Sequence, residues 1–189
     1  MIPLRLSLIA FAAIGLLSDE SHATLSIVAC ETSTGRCGVA VATHNLAVGH
    51  GVPFAEAGVG AGVSQFETNA CHSAAALQAL RAGEAPADAL ALALAASPRC
   101  PDGLDDRSRQ TAVVAMRGLA AVHTGAFANH AAGHRVGERV AVQGNGLVSD
   151  AVLDAMWMTY HSADGPLGER LLQALEAGQA AGGQQIGVL

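Results

Sequence analysis

Residues 24–43, TLSIVACETSTGRCGVAVAT, decide the fold. TLSIVAC and CGVAVAT are apolar, β-branched runs on either side of ETSTGR, whose Thr34-Gly35 step suits a tight turn. Neither run alternates cleanly between apolar and polar residues, which predicts strands covered on both faces, and both are expected to be central. Folding the hairpin sets Thr24 across from Thr43 or His44, depending on a one-residue choice of register. It also brings Cys30 nearly opposite Cys37, within bridging reach, so disulfides Cys30–Cys37 and Cys71–Cys100 are expected, with buried free thiols as the alternative.

Upstream of this hairpin, MIPLRLSLIAFAAIGLL carries one arginine and then an apolar run from Leu6 to Leu17, and SDESHA places small residues Ser21 and Ala23 where a signal peptidase reads. Residues 1–23 are therefore expected to be a cleaved secretory signal and 24–189 a single domain, periplasmic or secreted. The run falls short of the roughly 20 apolar residues of a membrane span, so no stable membrane insertion is expected after cleavage. An oxidising compartment also favours the disulfides.

The 189 residues are 51% hydrophobic and 14% charged, which suits a globular domain with a real core. The net charge is -6 and every basic residue is an arginine. No basic face for nucleic acid is expected, and without lysine there is no lysine base, Schiff base or phosphate-loop lysine.

Downstream, LAVGHGVPFAEAGVGAGVSQ reads as loop, short strand, turn and strand. HSAAALQALRAG and PADALALALAASP are helical, the second opening at Pro86. QTAVVAM, Arg117-Gly118 and LAAVHTG form a second hairpin, and GERVAVQGN adds a strand. Two final helices follow: SDAVLDAMWMTYHSA, capped by Ser149, and PLGERLLQALEAG, opened by Pro166 and ended by Gly178. Strands, helices, strands and helices in that order predict an α+β protein with helices layered on sheets.

A threonine exposed at a new N-terminus carries a hydroxyl nucleophile and an α-amine base on one residue, the amine titrating near 7.7–8.0 in reference peptides. The amine, directly or through water, can take the hydroxyl proton as the oxygen attacks a carbonyl. That is the logic of an N-terminal nucleophile (Ntn) hydrolase, and Thr24 is the candidate nucleophile, entering a strand with no mobile tail before it.

The stretches TLSIVACETSTGRCGVAVATHNLAVGHGVPFAEAGVGAGVSQ, RQTAVVAMRGLAAVHTG and AVQGNGLVSDAVLDAM closely resemble a bacterial family catalogued as domain of unknown function 1028. The resemblance covers nearly the whole chain from Thr24 and implies the Ntn-hydrolase superfamily, with its four-layer αββα sandwich and the first residue at one end of the sheets. It implies no known substrate. Well-studied members of the superfamily pair their threonine with an aspartate and a lysine, whereas this chain has Thr43-His44-Asn45 near the aspartate's place and no lysine. Ala115 stands where the family carries an acidic residue, and the ending AGGQQIGVL suggests that the last strand of the sandwich is lacking.

Three residues form the candidate catalytic set: Thr24, His44 as orienting group or second base, and Asn145 as hydrogen-bond donor to an oxyanion. A strand-end histidine in an ordinary hydrogen bond and an asparagine in turn chemistry are the competing readings. Gly60, Ala61 and Gly62 either present backbone N–H groups to substrate or allow close packing. His50, His72, His123, His130 and His134 show no ligand spacing, so neither metal nor cofactor is expected. The expectation is an exported hydrolase of an amide or related acyl bond in a small-molecule or peptide substrate. A non-catalytic binding or accessory protein on the same fold is the alternative, and a homo-oligomer is left open.

Overall fold

The computed structural model describes residues 23–96, 104–128 and 131–184. Strands β1 (Thr24–Glu31), β2 (Arg36–Thr43), β7 (Gly133–Gly137) and β8 (Val140–Asn145) form one antiparallel sheet in the order β2-β1-β8-β7. Strands β3 (Pro53–Glu56), β4 (Gly60–Phe66), β5 (Arg109–Ala115) and β6 (Ala121–Thr124) form the second, also antiparallel, in chain order. Helices α1 (Ala70–Arg81) and α2 (Pro86–Leu94) pack on the second sheet. Helices α3 (Ala151–Ser162) and α4 (Leu167–Ala180) pack on the first, and the two sheets face each other through β1, β4, β5 and β8.

The two faces of β1 explain its unbroken apolar pattern. Leu25, Ile27 and Ala29 join Val152, Met156, Leu171 and Ala174 under α3 and α4, while Val28 and Cys30 join Val63, Ala112 and Val114 between the sheets. Every second residue therefore meets a different apolar layer, and neither phase of the strand needs to be polar. The helices bury matching stripes: His72, Ala76, Ala79 and Leu80 in α1, and Leu167, Leu171, Ala174, Leu175 and Gly178 in α4.

The register settles the first hairpin. Thr24 pairs with Thr43, not His44, and Cys30 pairs with Cys37, to which it is disulfide-bonded. Cys71 is also in a disulfide; its expected partner Cys100, like the leader through residue 22, lies outside the described residues. No helix among the described residues is long and apolar enough to cross a membrane.

Four local expectations are corrected. Among the described residues β2 is an edge strand rather than a central one: α4 and the facing sheet cover its two faces, and face covering is all that an apolar pattern reports. The segment around His134, expected as loop, is strand β7, a short edge strand recruited by pairing with β8. Helix α3 has Asp150 at its N-cap, without a side-chain cap bond, instead of Ser149. Helix α4 passes through Gly178, which is buried in its interior: a Cβ there would stand 2.6 Å from Met156 Cγ, so the glycine permits close α3–α4 contact. The chain leaves the helix only at Gly182 and Gly183, both at positive φ.

Candidate functional site

The inner face of the first sheet changes character at one end. Where β1 begins, the residues pointing at the second sheet are Thr24 and Ser26, and their partners across the sheet are Thr43 on β2 and Asn145 and Gln143 on β8. The second sheet answers with Gln65 on β4, Gln110 on β5 and Thr124 on β6, neighbours in one row. Thr24, Ser26, Gln65, Gln110, Gln143 and Asn145 are all buried, Thr24 retaining only 4% of its exposure. Buried polar groups are tolerated when they satisfy one another, and this set does so largely through its own side chains.

Gln110 fixes the direction of the network. Its Nε2 lies 2.9 Å from Gly144 O and 3.3 Å from Gly133 O, and carbonyl oxygens only accept, so this end of the amide is the donor. Its Oε1 must then accept from Gln65 Nε2 at 2.8 Å and Asn145 Nδ2 at 3.0 Å. Gln65 Oε1 in turn accepts from Ser26 Oγ at 2.6 Å. One hydrogen of Asn145 Nδ2 is thus committed to Gln110, and Asn145 Oδ1 is buried without a hydrogen-bond partner among the described residues. Gln110 Nε2 also donates to Thr124 Oγ1 at 3.1 Å, which leaves the Thr124 hydroxyl hydrogen for His134 Nδ1 at 3.0 Å. Burial, followed by the charges of Arg135 and His123, holds His134 below the ordinary histidine range, so it is neutral at pH 7. Every hydrogen-bonding side chain of the cluster is therefore uncharged.

Thr24 is held at the edge of this cluster by hydroxyls. Its Oγ1 is 3.0 Å from Thr43 Oγ1, and Thr43 donates to the carbonyl oxygen of Ala23 at 3.0 Å. With the Thr43 hydrogen so used, Thr24 is the donor of the pair. Asn45 N–H adds a third bond to Thr43 Oγ1 at 3.2 Å.

The structure therefore brings together two of the three candidate residues: Thr24 and Asn145 are directly opposite each other on adjacent strands. His44 stands just past the end of β2, exposed and with no side-chain hydrogen bond among the described residues. Gly60, Ala61 and Gly62 occupy the first half of β4, three to five residues or about 10 to 16 Å from Gln65 at strand rise. Their role there is packing: a Cβ on Gly62 would stand 2.5 Å from Ala112 O and against the Phe54 ring. The scattered histidines make separate contacts, His123 with Asp106 O at 2.7 Å and His50 with Ala47 O at 2.9 Å. Two clefts, one beside Gly83, Pro86 and Leu119 and the other beside Cys37, Leu167 and Leu171, include no member of the polar cluster.

Sequence reasoning missed Ser26, Thr43, Gln65, Gln110, Gln143, Thr124 and His134 as members of one constellation. A signal was present: Thr24 with Ser26, and Gln143 with Asn145, are polar residues two apart at the ends of otherwise apolar strands, hence on one face. What joins them to Gln65 and Gln110 is contact between two sheets, which no single strand records.

The family model described as a family of unknown function, DUF1028, matches residues 24–188. The crystal structure of protein SPO2555 from Silicibacter pomeroyi, described under the same family, is similar with a TM-score of 0.75 and 32% identity, over 84% of this chain and 68% of that one. No curated protein matches the chain. A family match across nearly all of the described fold, together with a solved relative of the same architecture, shows that the chain belongs to the DUF1028 family.

Proposed function

We propose that the protein is an exported N-terminal nucleophile hydrolase acting on an amide or related acyl bond, with Thr24 as nucleophile once the leader has been removed. The observation that carries this reading is the placement of Thr24. It is the first residue of a central strand, its hydroxyl is held by Thr43, and the family match also begins there. Two facing antiparallel sheets with a helix pair on each outer face support an αββα sandwich of the Ntn type. The Cys30–Cys37 disulfide is compatible with an oxidising compartment.

In this mechanism the Thr24 hydroxyl oxygen attacks the substrate carbonyl carbon while its proton passes to the α-amine. The carbonyl electron pair moves to oxygen, stabilised by the second hydrogen of Asn145 Nδ2 or by backbone N–H groups. Collapse expels the leaving amine with the proton taken up earlier, and water then hydrolyses the Thr24 ester. His44, exposed beyond the strand end, would act only on a substrate that covers it.

Mass spectrometry of the secreted protein tests the first step, since a mature start other than Thr24 removes the nucleophile. A hydroxyl-reactive acylating probe tests the second. Labelling is expected in the wild type, retained in Thr24→Ser and abolished in Thr24→Ala, and equal labelling of Thr24→Ala overturns the reading. The wholly uncharged cluster favours a second reading, a non-catalytic binding or accessory protein on the same fold, for which ligand binding would be unaffected by Thr24→Ala.

A further inference from the structure

Resting on the hydrolase reading, we infer that Thr43 is a catalytic residue: its hydroxyl carries the proton between Thr24 Oγ1 and the Thr24 α-amine, in a chain without lysine and in a site where no charged side chain among the described residues is hydrogen-bonded to the nucleophile. The argument begins with three hydrogen bonds that meet at one atom. Thr43 Oγ1 accepts from Thr24 Oγ1 at 3.0 Å and from Asn45 N–H at 3.2 Å, and it donates to Ala23 O at 3.0 Å. The hydroxyl is thus fully used, and its orientation is set by a backbone donor on one side and a carbonyl acceptor on the other.

Ala23 O and the Thr24 nitrogen belong to the same peptide group, about 2.3 Å apart by standard bond lengths. Cleavage after Ala23 removes the carbonyl that Thr43 donates to and leaves, in that peptide's place, an amine whose neutral form has a lone pair. The Thr43 hydroxyl hydrogen then has the amine as its acceptor, while Thr43 Oγ1 still receives the hydrogen of Thr24 Oγ1. One residue consequently bridges the nucleophile and the base.

The step balances as a paired transfer. As Thr24 Oγ1 forms its bond to the acyl carbon, its proton moves to Thr43 Oγ1, the original Thr43 proton moves to the α-amine, and the carbonyl π pair moves to oxygen. On collapse the carbonyl re-forms, the bond to the leaving nitrogen breaks, and the ammonium returns a proton to that nitrogen directly or through the Thr43 hydroxyl, Thr24 Oγ1 now being the ester oxygen. Thr43 ends each half-reaction as a neutral hydroxyl. The relay makes a specific demand on the side chain: a hydroxyl on β2 in register with Thr24, which valine, of the same shape and β preference, does not supply.

The experiment uses the processed protein, with its Thr24 start verified by mass spectrometry, and measures the rate of Thr24 labelling by the acylating probe from pH 5 to 9. Wild type, Thr43→Ser and Thr43→Val are compared, with Thr24→Ala as blank and thermal unfolding as the check on folding. Thr43→Val is expected to label on the order of 100-fold more slowly, the lower end of general acid–base contributions, and Thr43→Ser within a few-fold of wild type with the same pH profile. Labelling of folded Thr43→Val at the wild-type rate and with the wild-type profile overturns the relay while leaving the hydrolase reading in place. Equal losses in Thr43→Ser and Thr43→Val also overturn it, because the effect would then follow shape and not the hydroxyl. Absence of labelling in processed wild type overturns the hydrolase reading itself, and the relay with it.

Discussion

Gln110 shows how one neutral side chain can organise a buried site. Its amide joins both sheets: the Nε2 end lies on carbonyls of Gly144 and Gly133, and the Oε1 end receives Gln65 and Asn145. Replacing it with methionine keeps the volume but strands two buried donors and a buried carbonyl. Each unsatisfied group costs about 1–3 kcal/mol, part of which relaxation recovers. Gln110→Met is therefore expected to lower stability by about 3 kcal/mol in urea unfolding, with an unchanged denaturant slope. Its second effect is on Asn145, whose Nδ2 loses its fixed acceptor. Gln110 was legible as a polar residue in a strand, but its importance was not, because the five partners of its side chain lie on four other strands and are 14 to 45 residues away.

At the scale of elements, glycines set the distances between layers. β4 has glycine at positions 60 and 62, both on the face toward α1 and α2, with the Phe54 ring of β3 beside Gly62. Gly62→Ala would drive a methyl into that ring and the Ala112 carbonyl of β5. The carbonyl belongs to the sheet and cannot step aside as a flexible side-chain tip would. A loss of about 1–3 kcal/mol in thermal or urea unfolding is expected, typical of overpacking, even though alanine is otherwise the better residue in a strand. These glycines read equally well from sequence as substrate-facing backbone. Their position in the first half of β4, away from Gln65, decides for packing. The strands themselves were legible wherever length and β-branching agreed, as in β1 and β5. β7 was not, since five residues with glycine at both ends carry little propensity and form a strand only against β8.

For the whole molecule, the pH response passes through the same polar layer. His134 is held below its ordinary value by burial, then by Arg135 and His123, so the unfolded chain binds its proton more readily than the folded one. By linkage, stability is fully present above the ordinary histidine value of about 6.5 and falls as pH drops through the window between that value and the lower folded one. Urea unfolding between pH 8 and 5 is expected to show this decline, and His134→Asn, which keeps an acceptor for Thr124, to flatten it. Glu56 and Asp105 are lowered by their Arg81 and Arg107 hydrogen bonds and act only in stronger acid, on exposed groups where solvent screens the effect.

The sequence by itself determined the local chemistry. The β1–β2 hairpin, which sets Cys30 opposite Cys37, the helix pairs and the polar character of residues 24 and 145 follow from propensity, turn residues and spacing, all of which act over short stretches of chain. Only the tertiary structure decided that Thr24 faces Thr43 rather than His44, and that Asn145 lies on its other side. It also decided that Ser26, Gln65, Gln110 and Gln143 close one buried hydrogen-bonded layer behind Thr24. The reason is physical: strand register and sheet-on-sheet stacking are set by long-range pairing and burial, and they place side chains from distant strands around a single residue.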